Sequence, residues 1–115
     1  MNPLDEATEE LNKLLAEAQE VFVGLKLSVE ATVPLGDSTL LGFGKCGKDN
    51  AWGLYVKTPN GQELPIQSAA RANKVLAAKQ LGALRTELQR QHAHWLTQVR
   101  SAFDDVHGFL NEASK

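Results

Sequence analysis

The sequence predicts an α+β fold: an N-terminal helix, a three- or four-stranded antiparallel meander, and a long or broken C-terminal helical segment. Apolar residues recur every three or four positions near both ends of the chain and every second position in the middle, which is typical of helices flanking strands. The loops between the strand-like runs are too short for a parallel crossover, so the strands are expected to pair antiparallel. The length of 115 residues is that of one domain, and residues 1–115 are predicted to form a single one.

The N-terminal helix is predicted to run from about residue 3 to Val23. Asn2 is a suitable N-cap, and Pro3 suits the first helical position, where its missing N–H costs nothing. Gly24 is expected to end the helix, because glycine is common just beyond a helix C-terminus. Helical spacing gives this helix one apolar stripe, formed by Leu4, Ala7, Leu11, Leu14, Leu15, Ala18, Val21 and Phe22.

Three or four strands are predicted between the helices. Over residues 25–33 alternate positions are apolar, which is typical of a strand with one buried face and one exposed face. Residues 39–46 and 51–57 are expected to form the next two strands, because turn-forming residues lie on either side of each. Residues 62–66 can add a short edge strand, where Pro65 is tolerated because no inner strand needs its N–H.

The C-terminal segment, residues 69–112, has a helical apolar period and contains no proline. Ser68 is a candidate N-cap for it. One continuous helix of this length would span roughly 66 Å at ~1.5 Å per residue, which is longer than a domain of this size. We therefore expect one of two outcomes: the helix breaks near Gly82, or it projects and needs a partner to cover its apolar stripe.

The stretch "GFGKCGKDNAWGLYV", residues 42–56, places the single cysteine between two Gly-Lys pairs. A phosphate-binding loop needs backbone N–H groups that converge at a helix N-terminus, whereas strand-like runs lie on both sides here. Lys45 and Lys48 could favour the thiolate of Cys46, but nucleophilic catalysis also needs an oriented base. We therefore predict a hairpin turn over residues 47–50 rather than a thiol or phosphate site.

The composition is that of an ordinary globular chain, with 43% hydrophobic and 23% charged residues. No apolar run approaches the ~20 residues of a membrane-spanning helix, and the acidic N-terminus lacks the pattern of a secretory signal. A single cysteine cannot form an internal disulfide, so a cytoplasmic protein is expected. His92 and His94 lack the spacing of a helical metal pair, and adjacent carboxylates point apart; we expect no enzyme activity, catalytic residue, metal or other cofactor.

Charge is distributed unevenly, although the formal net charge is only −2. Residues 1–44 carry eight acids and two bases, a balance of −6, whereas residues 45–100 carry nine bases and three acids, a balance of +6. Either the acidic first helix pairs with the basic segment 71–100, or that segment exposes a basic face to an anionic partner. A candidate anion-binding site comprises Lys45, Lys48, Arg71 and Lys74.

An apolar stripe longer than one small sheet can cover predicts self-association through the C-terminal helix. The predicted interface residues are Leu88, Trp95, Val99 and Phe103. We expect a homo-oligomer, in the first instance a dimer, that serves as a small adaptor, chaperone or assembly factor with an unidentified protein partner and no membrane association. The alternative is a nucleic-acid-associated protein that uses the basic segment 71–100.

Overall fold

A computed structural model describes residues 2–47 and 49–114 and has the predicted α+β architecture. Its elements are helix α1 (Pro3–Gly24), strands β1 (Ala31–Gly36), β2 (Thr39–Cys46), β3 (Ala51–Lys57) and β4 (Glu63–Pro65), and helix α2 (Arg71–Ala113). The strands form one antiparallel sheet in the order β1-β2-β3-β4, so the predicted meander is confirmed.

Helix α1 begins as predicted, because Asn2 supplies the cap that the first turn needs. The Asn2 Oδ1 accepts a hydrogen bond of 2.7 Å from the Leu4 N–H, and proline occupies the first helical position. The helix includes Gly24 and ends there, and the Leu25 N–H donates back to the Phe22 carbonyl at 3.2 Å. One face of α1 enters the core through Leu15 and Phe22.

The core lies between one face of the sheet and the two helices. Strand register places Ala31, Phe43 and Leu54 in one row across the sheet. The neighbouring row on the same face consists of Val33, Leu41 and Val56. All six side chains are buried, and the helices cover them with Leu15, Phe22, Ala77, Leu84 and Leu88. This continuous apolar cluster is the main source of stability that the fold offers.

On the opposite face of the sheet, the side chain of Tyr55 is also buried, with 6% of its surface exposed. Its ring lies directly over Gly42, its partner residue on β2. A Cβ at position 42 would collide with that ring, so glycine is required there for the ring to lie flat on the sheet.

The strand predicted over residues 25–33 is correct only for its last three residues, because β1 begins at Ala31. Lys26 and Ser28 have φ angles of 51° and 56°, in the left-handed region that a strand ladder cannot accommodate. The alternate apolar side chains of this segment nevertheless pack against the core: they are Leu25, Leu27 and Val29. The period of two in the sequence therefore reflects alternating burial in an irregular segment.

Side chains replace missing strand partners at two places in the sheet. Beyond the start of β1, the Glu30 carboxylate accepts a hydrogen bond of 3.0 Å from the Lys45 N–H. Beyond the end of β4, the Gln19 Oε1 of α1 accepts one of 2.8 Å from the Leu54 N–H. Both bonds satisfy backbone donors that the short outer strands leave without a ladder partner.

Helix α2 is continuous over its 43 residues and does not break at Gly82. A single glycine costs a helix only ~1 kcal/mol, and core residues hold the helix on both sides of it. The prediction that Ser68 caps this helix is wrong. Ser68 lies in a short 3-10 turn, Ile66–Ser68, and α2 starts after Ala70 without a side-chain cap.

Candidate functional site

The C-terminal half of α2 extends away from the rest of the chain. Every residue from Ala93 to Ser114 is exposed, and the molecule measures 76 × 28 × 26 Å. At ~1.5 Å per residue, this projecting half is roughly 33 Å long. Of the two outcomes expected from the sequence, the chain adopts the projecting helix.

Large apolar side chains line one side of the projecting half at helical spacing. We call this set the apolar stripe; its members are Trp95, Leu96, Val99, Phe103, Val106, Phe109 and Leu110. Its exposure is substantial, since 63% of Phe103 and 66% of Phe109 is open to solvent. Of the thirteen large hydrophobic side chains that are exposed in the described residues, seven belong to the apolar stripe.

Three of the four predicted interface residues, Trp95, Val99 and Phe103, lie in the apolar stripe. The fourth, Leu88, is only 1% exposed because it packs in the core of its own chain. The apolar side of α2 changes from buried to exposed where the helix leaves the sheet. The periodicity of the helix continues through this point and does not mark it. The prediction omitted four members of the stripe: Leu96, Val106, Phe109 and Leu110. Two of these four, Leu96 and Leu110, could have been predicted from the sequence, because they lie seven residues before and after Phe103.

A groove marks the base of the projecting half, where it passes the irregular segment 27–29. The groove has a volume of about 210 Å³ and is open to solvent. Leu27 and Val29 form one wall, and Trp95, Leu96 and Val99 of the apolar stripe form the other. We call it the base groove. It extends the apolar stripe onto the body of the protein.

A second apolar groove, of about 320 Å³, lies between the end of α1 and the sheet. An aromatic row lines it: the rings of Phe22 and Phe43 are 5.7 Å apart, as are those of Phe43 and Trp52. The Lys45 ammonium lies 5.7 Å from the Trp52 ring centre, a cation–π distance. The groove presents few polar groups that could orient a ligand, which small-molecule sites usually require.

The residues of the candidate anion site have different surroundings. Lys45 lies on β2 beside Trp52, and Lys48 lies outside the described residues. Arg71, at the start of α2, is 3.6 Å from the Asp5 carboxylate of α1. Lys74 is only 7% exposed, so little of its side chain is available to an anion.

The acidic and basic helices meet through the contact between Arg71 and Asp5. Further along α2, Arg90 donates two hydrogen bonds to Glu87, at 3.0 and 2.6 Å. These bonds, together with one from Gln91, lower the pKa of Glu87 to about 2. Part of the positive charge of segment 71–100 is thus matched by carboxylates of the same chain.

Cys46 is the last residue of β2 and is partly buried. The chain turns between Cys46 and Ala51, which pair across the β2–β3 hairpin, and the Asn50 N–H donates to the Gly47 carbonyl at 3.2 Å. Burial, followed by the negative charges of Glu63 and Glu30, raises the pKa of the thiol. A raised pKa disfavours the thiolate that a nucleophile or a metal ligand requires.

In residues 2–47 and 49–114, no three His, Cys, Asp or Glu side chains gather as a metal site. Neither helix of this part of the chain carries an apolar window suited to crossing a lipid bilayer. Comparison of the chain with known protein families, curated proteins and solved structures finds no match.

Proposed function

We propose that this protein is a non-catalytic interaction module, of the adaptor, chaperone or assembly-factor type, that acts as a homo-oligomer through the projecting half of α2. The observation that carries the proposal is the apolar stripe on a helix that leaves its own domain. A helix that is surrounded only by solvent can be polar on every side, so a continuous apolar side indicates contact with another surface.

The size of the apolar stripe supports an interface. A fully covered aromatic side chain buries ~150–250 Å², and Trp95, Phe103 and Phe109 are each more than half exposed. With the four aliphatic residues, the apolar stripe exposes on the order of 500 Å² of large side chains. The largest apolar patch on a typical monomer is ~300–600 Å² and often functional, so a patch of this size on one helix favours association.

The charge of the projecting half favours a protein partner over a lipid or nucleic-acid surface. Its polar side carries Asp104, Asp105 and Glu112, and Arg100 is its one arginine. Helices that bind anionic membranes, and surfaces that bind nucleic acid, are usually rich in Lys and Arg. The apolar stripe of this chain is therefore better suited to another apolar protein surface.

Sedimentation velocity on paired variants tests the proposal. Phe103→Glu places a charge in the middle of the apolar stripe and should convert the oligomer to a monomer, because burial of an unpaired carboxylate is unfavourable. Ser101→Glu adds the same charge two residues away, on the exposed polar side, and should leave the oligomer intact. Circular dichroism should show equal helix content in both variants.

Three results would count against the proposal. Wild-type protein that sediments as a monomer would remove its basis. Equal dissociation by both substitutions would show that added charge, rather than loss of the apolar stripe, breaks the oligomer. Binding of duplex DNA at about 0.15 M salt, abolished by replacing Arg71 and Lys74 with alanine, would favour the nucleic-acid alternative instead.

A further inference from the structure

We infer that the apolar stripe pairs in an antiparallel arrangement with the apolar stripe of a second copy of this chain, about a two-fold axis between Ala102 and Phe103. The inference rests on the proposed self-association and specifies its geometry. It follows from the spacing of the stripe, from the area it exposes, and from the base groove.

The spacing of the apolar stripe reads the same from either end once the small residue Ala102 is included. The intervals between successive members are one, three, three, one, three, three and one. The seven members of the apolar stripe and Ala102 stand in the order Trp95, Leu96, Val99, Ala102, Phe103, Val106, Phe109 and Leu110. A two-fold interface requires a surface that is complementary to its own rotated copy, and this symmetry of spacing provides it.

At the centre of such a pair, large and small residues alternate around the axis. Ala102 and Phe103 each lie close to their own counterparts, on opposite sides of the contact. Val99 comes level with Val106 of the second copy, because both are equally distant from the axis. The small Ala102 allows the two helices to approach, while Phe103 fills the space on the other side.

At the two ends of the pair, each side of the apolar stripe meets the same side of its copy. Trp95 lies on the same side of the contact as Phe109 of the second copy, and Leu96 on the same side as Leu110, each within one residue, or ~1.5 Å, of its level. The end of one projecting helix therefore lies beside the base groove of the other. Because Leu27 and Val29 form the far wall of that groove, the body of the protein adds apolar contact that the helix alone cannot provide.

The apolar stripe exposes a large part of the area that a dimer interface buries on each partner. Stable interfaces bury ~800 Å² per partner, and the large side chains of the apolar stripe supply on the order of 500 Å². The base groove and the polar side chains at the edges of the stripe can contribute the remainder. One second copy is therefore sufficient to cover the stripe along its whole length.

The distribution of charge also favours an antiparallel pair. Glu112 lies near the tip of the projecting half. An antiparallel pair sets the two copies of Glu112 far apart, because each tip lies beside the base of the other helix. A parallel pair in register places every acid level with its own copy, where like charges repel.

Distances between nitroxide spin labels distinguish the two arrangements. Single cysteines are introduced in a Cys46→Ser background by Ser101→Cys or by Asn111→Cys, both at exposed positions away from the apolar stripe. In an antiparallel pair the two copies of residue 101 are offset along the helix by three residues, or ~5 Å, and those of residue 111 by seventeen residues, or ~26 Å. The lateral separation of the two helices contributes to both distances, so the label distance should be longer at 111 than at 101 because of the larger offset along the helix.

Sedimentation of the labelled variants separates the possible failures. Dimers with similar label distances at 101 and 111 would indicate a parallel pair, which overturns the inference but leaves the proposed function. If the labelled variants and the unlabelled Cys46→Ser protein are all monomeric, both the antiparallel geometry and the proposed function are overturned. A dimer with the longer distance at 111 would support the antiparallel geometry.

Discussion

Replacement of Leu88 tests the boundary that the structure places within α2, between the part that belongs to the core and the part that projects. Leu88 is 1% exposed and belongs to the core cluster, whereas Val99, eleven residues further on, is 62% exposed. Leu88→Ala should therefore destabilise the single chain. Val99→Ala should affect self-association and leave the stability of the monomer almost unchanged.

The expected loss can be worked out from the buried carbon atoms. Leu88→Ala removes three of them, which at ~0.8 kcal/mol each gives ~2.4 kcal/mol of lost transfer free energy. The cavity that remains adds to this, and measured leucine-to-alanine changes in cores cost ~2–5 kcal/mol. With a urea dependence of ~1–3 kcal/mol/M for a small protein, the unfolding midpoint should fall by roughly 1–2 M.

The assay is urea unfolding followed by circular dichroism, with both substitutions made in the Phe103→Glu background so that dimer dissociation does not contribute. Val99→Ala is the matched control and should change the free energy of unfolding by no more than ~0.5 kcal/mol. A loss below ~1 kcal/mol for Leu88→Ala would refute the placement of this residue in the core. It would favour the interface role that the sequence alone suggested.

Two further predictions concern the sheet. Burial and the charges of Glu63 and Glu30 raise the pKa of the Cys46 thiol, so Cys46 should react with a maleimide more slowly than a free thiol at neutral pH. Cys46→Ser should unfold at the same urea concentration as the wild type. Rapid labelling of Cys46, or loss of self-association in Cys46→Ser, would contradict these expectations. Gln19→Ala should cost ~1–3 kcal/mol in the free energy of unfolding, because it leaves the Leu54 N–H without its acceptor, whereas the neighbouring change Glu20→Ala should cost little.

Much of the fold was predictable because its local signals agree with one another. Asn2 and Pro3 mark the start of α1, and the turn residues between the strands fix an antiparallel order. The error over residues 25–30 has a specific physical cause. Burial alternates there as it does in a strand, whereas the left-handed φ angles of Lys26 and Ser28 prevent strand pairing, and the Glu30 carboxylate accepts the hydrogen bond that a strand partner would have accepted from Lys45 N–H.

The sequence predicted an apolar side on α2 but not which part of that side is exposed. Helical periodicity identifies an apolar side of α2 without showing how much of it the sheet covers, so Leu88 and Phe103 look equivalent in the sequence. Only the packed structure separates them, because the sheet ends before the helix does. For the same reason, the sequence could not decide whether the helix stops at Gly82 or continues.

Sedimentation equilibrium of the unmodified protein over a range of micromolar concentrations tests the central claim most directly. The chain has a mass of 12.5 kDa, and a two-fold pair formed through the apolar stripe should give a mass of about 25 kDa at the higher concentrations. The mass should fall towards that of one chain on dilution if the pair is reversible. A mass of 12.5 kDa throughout the range would contradict the account, because the projecting half of α2 would then remain without a second copy.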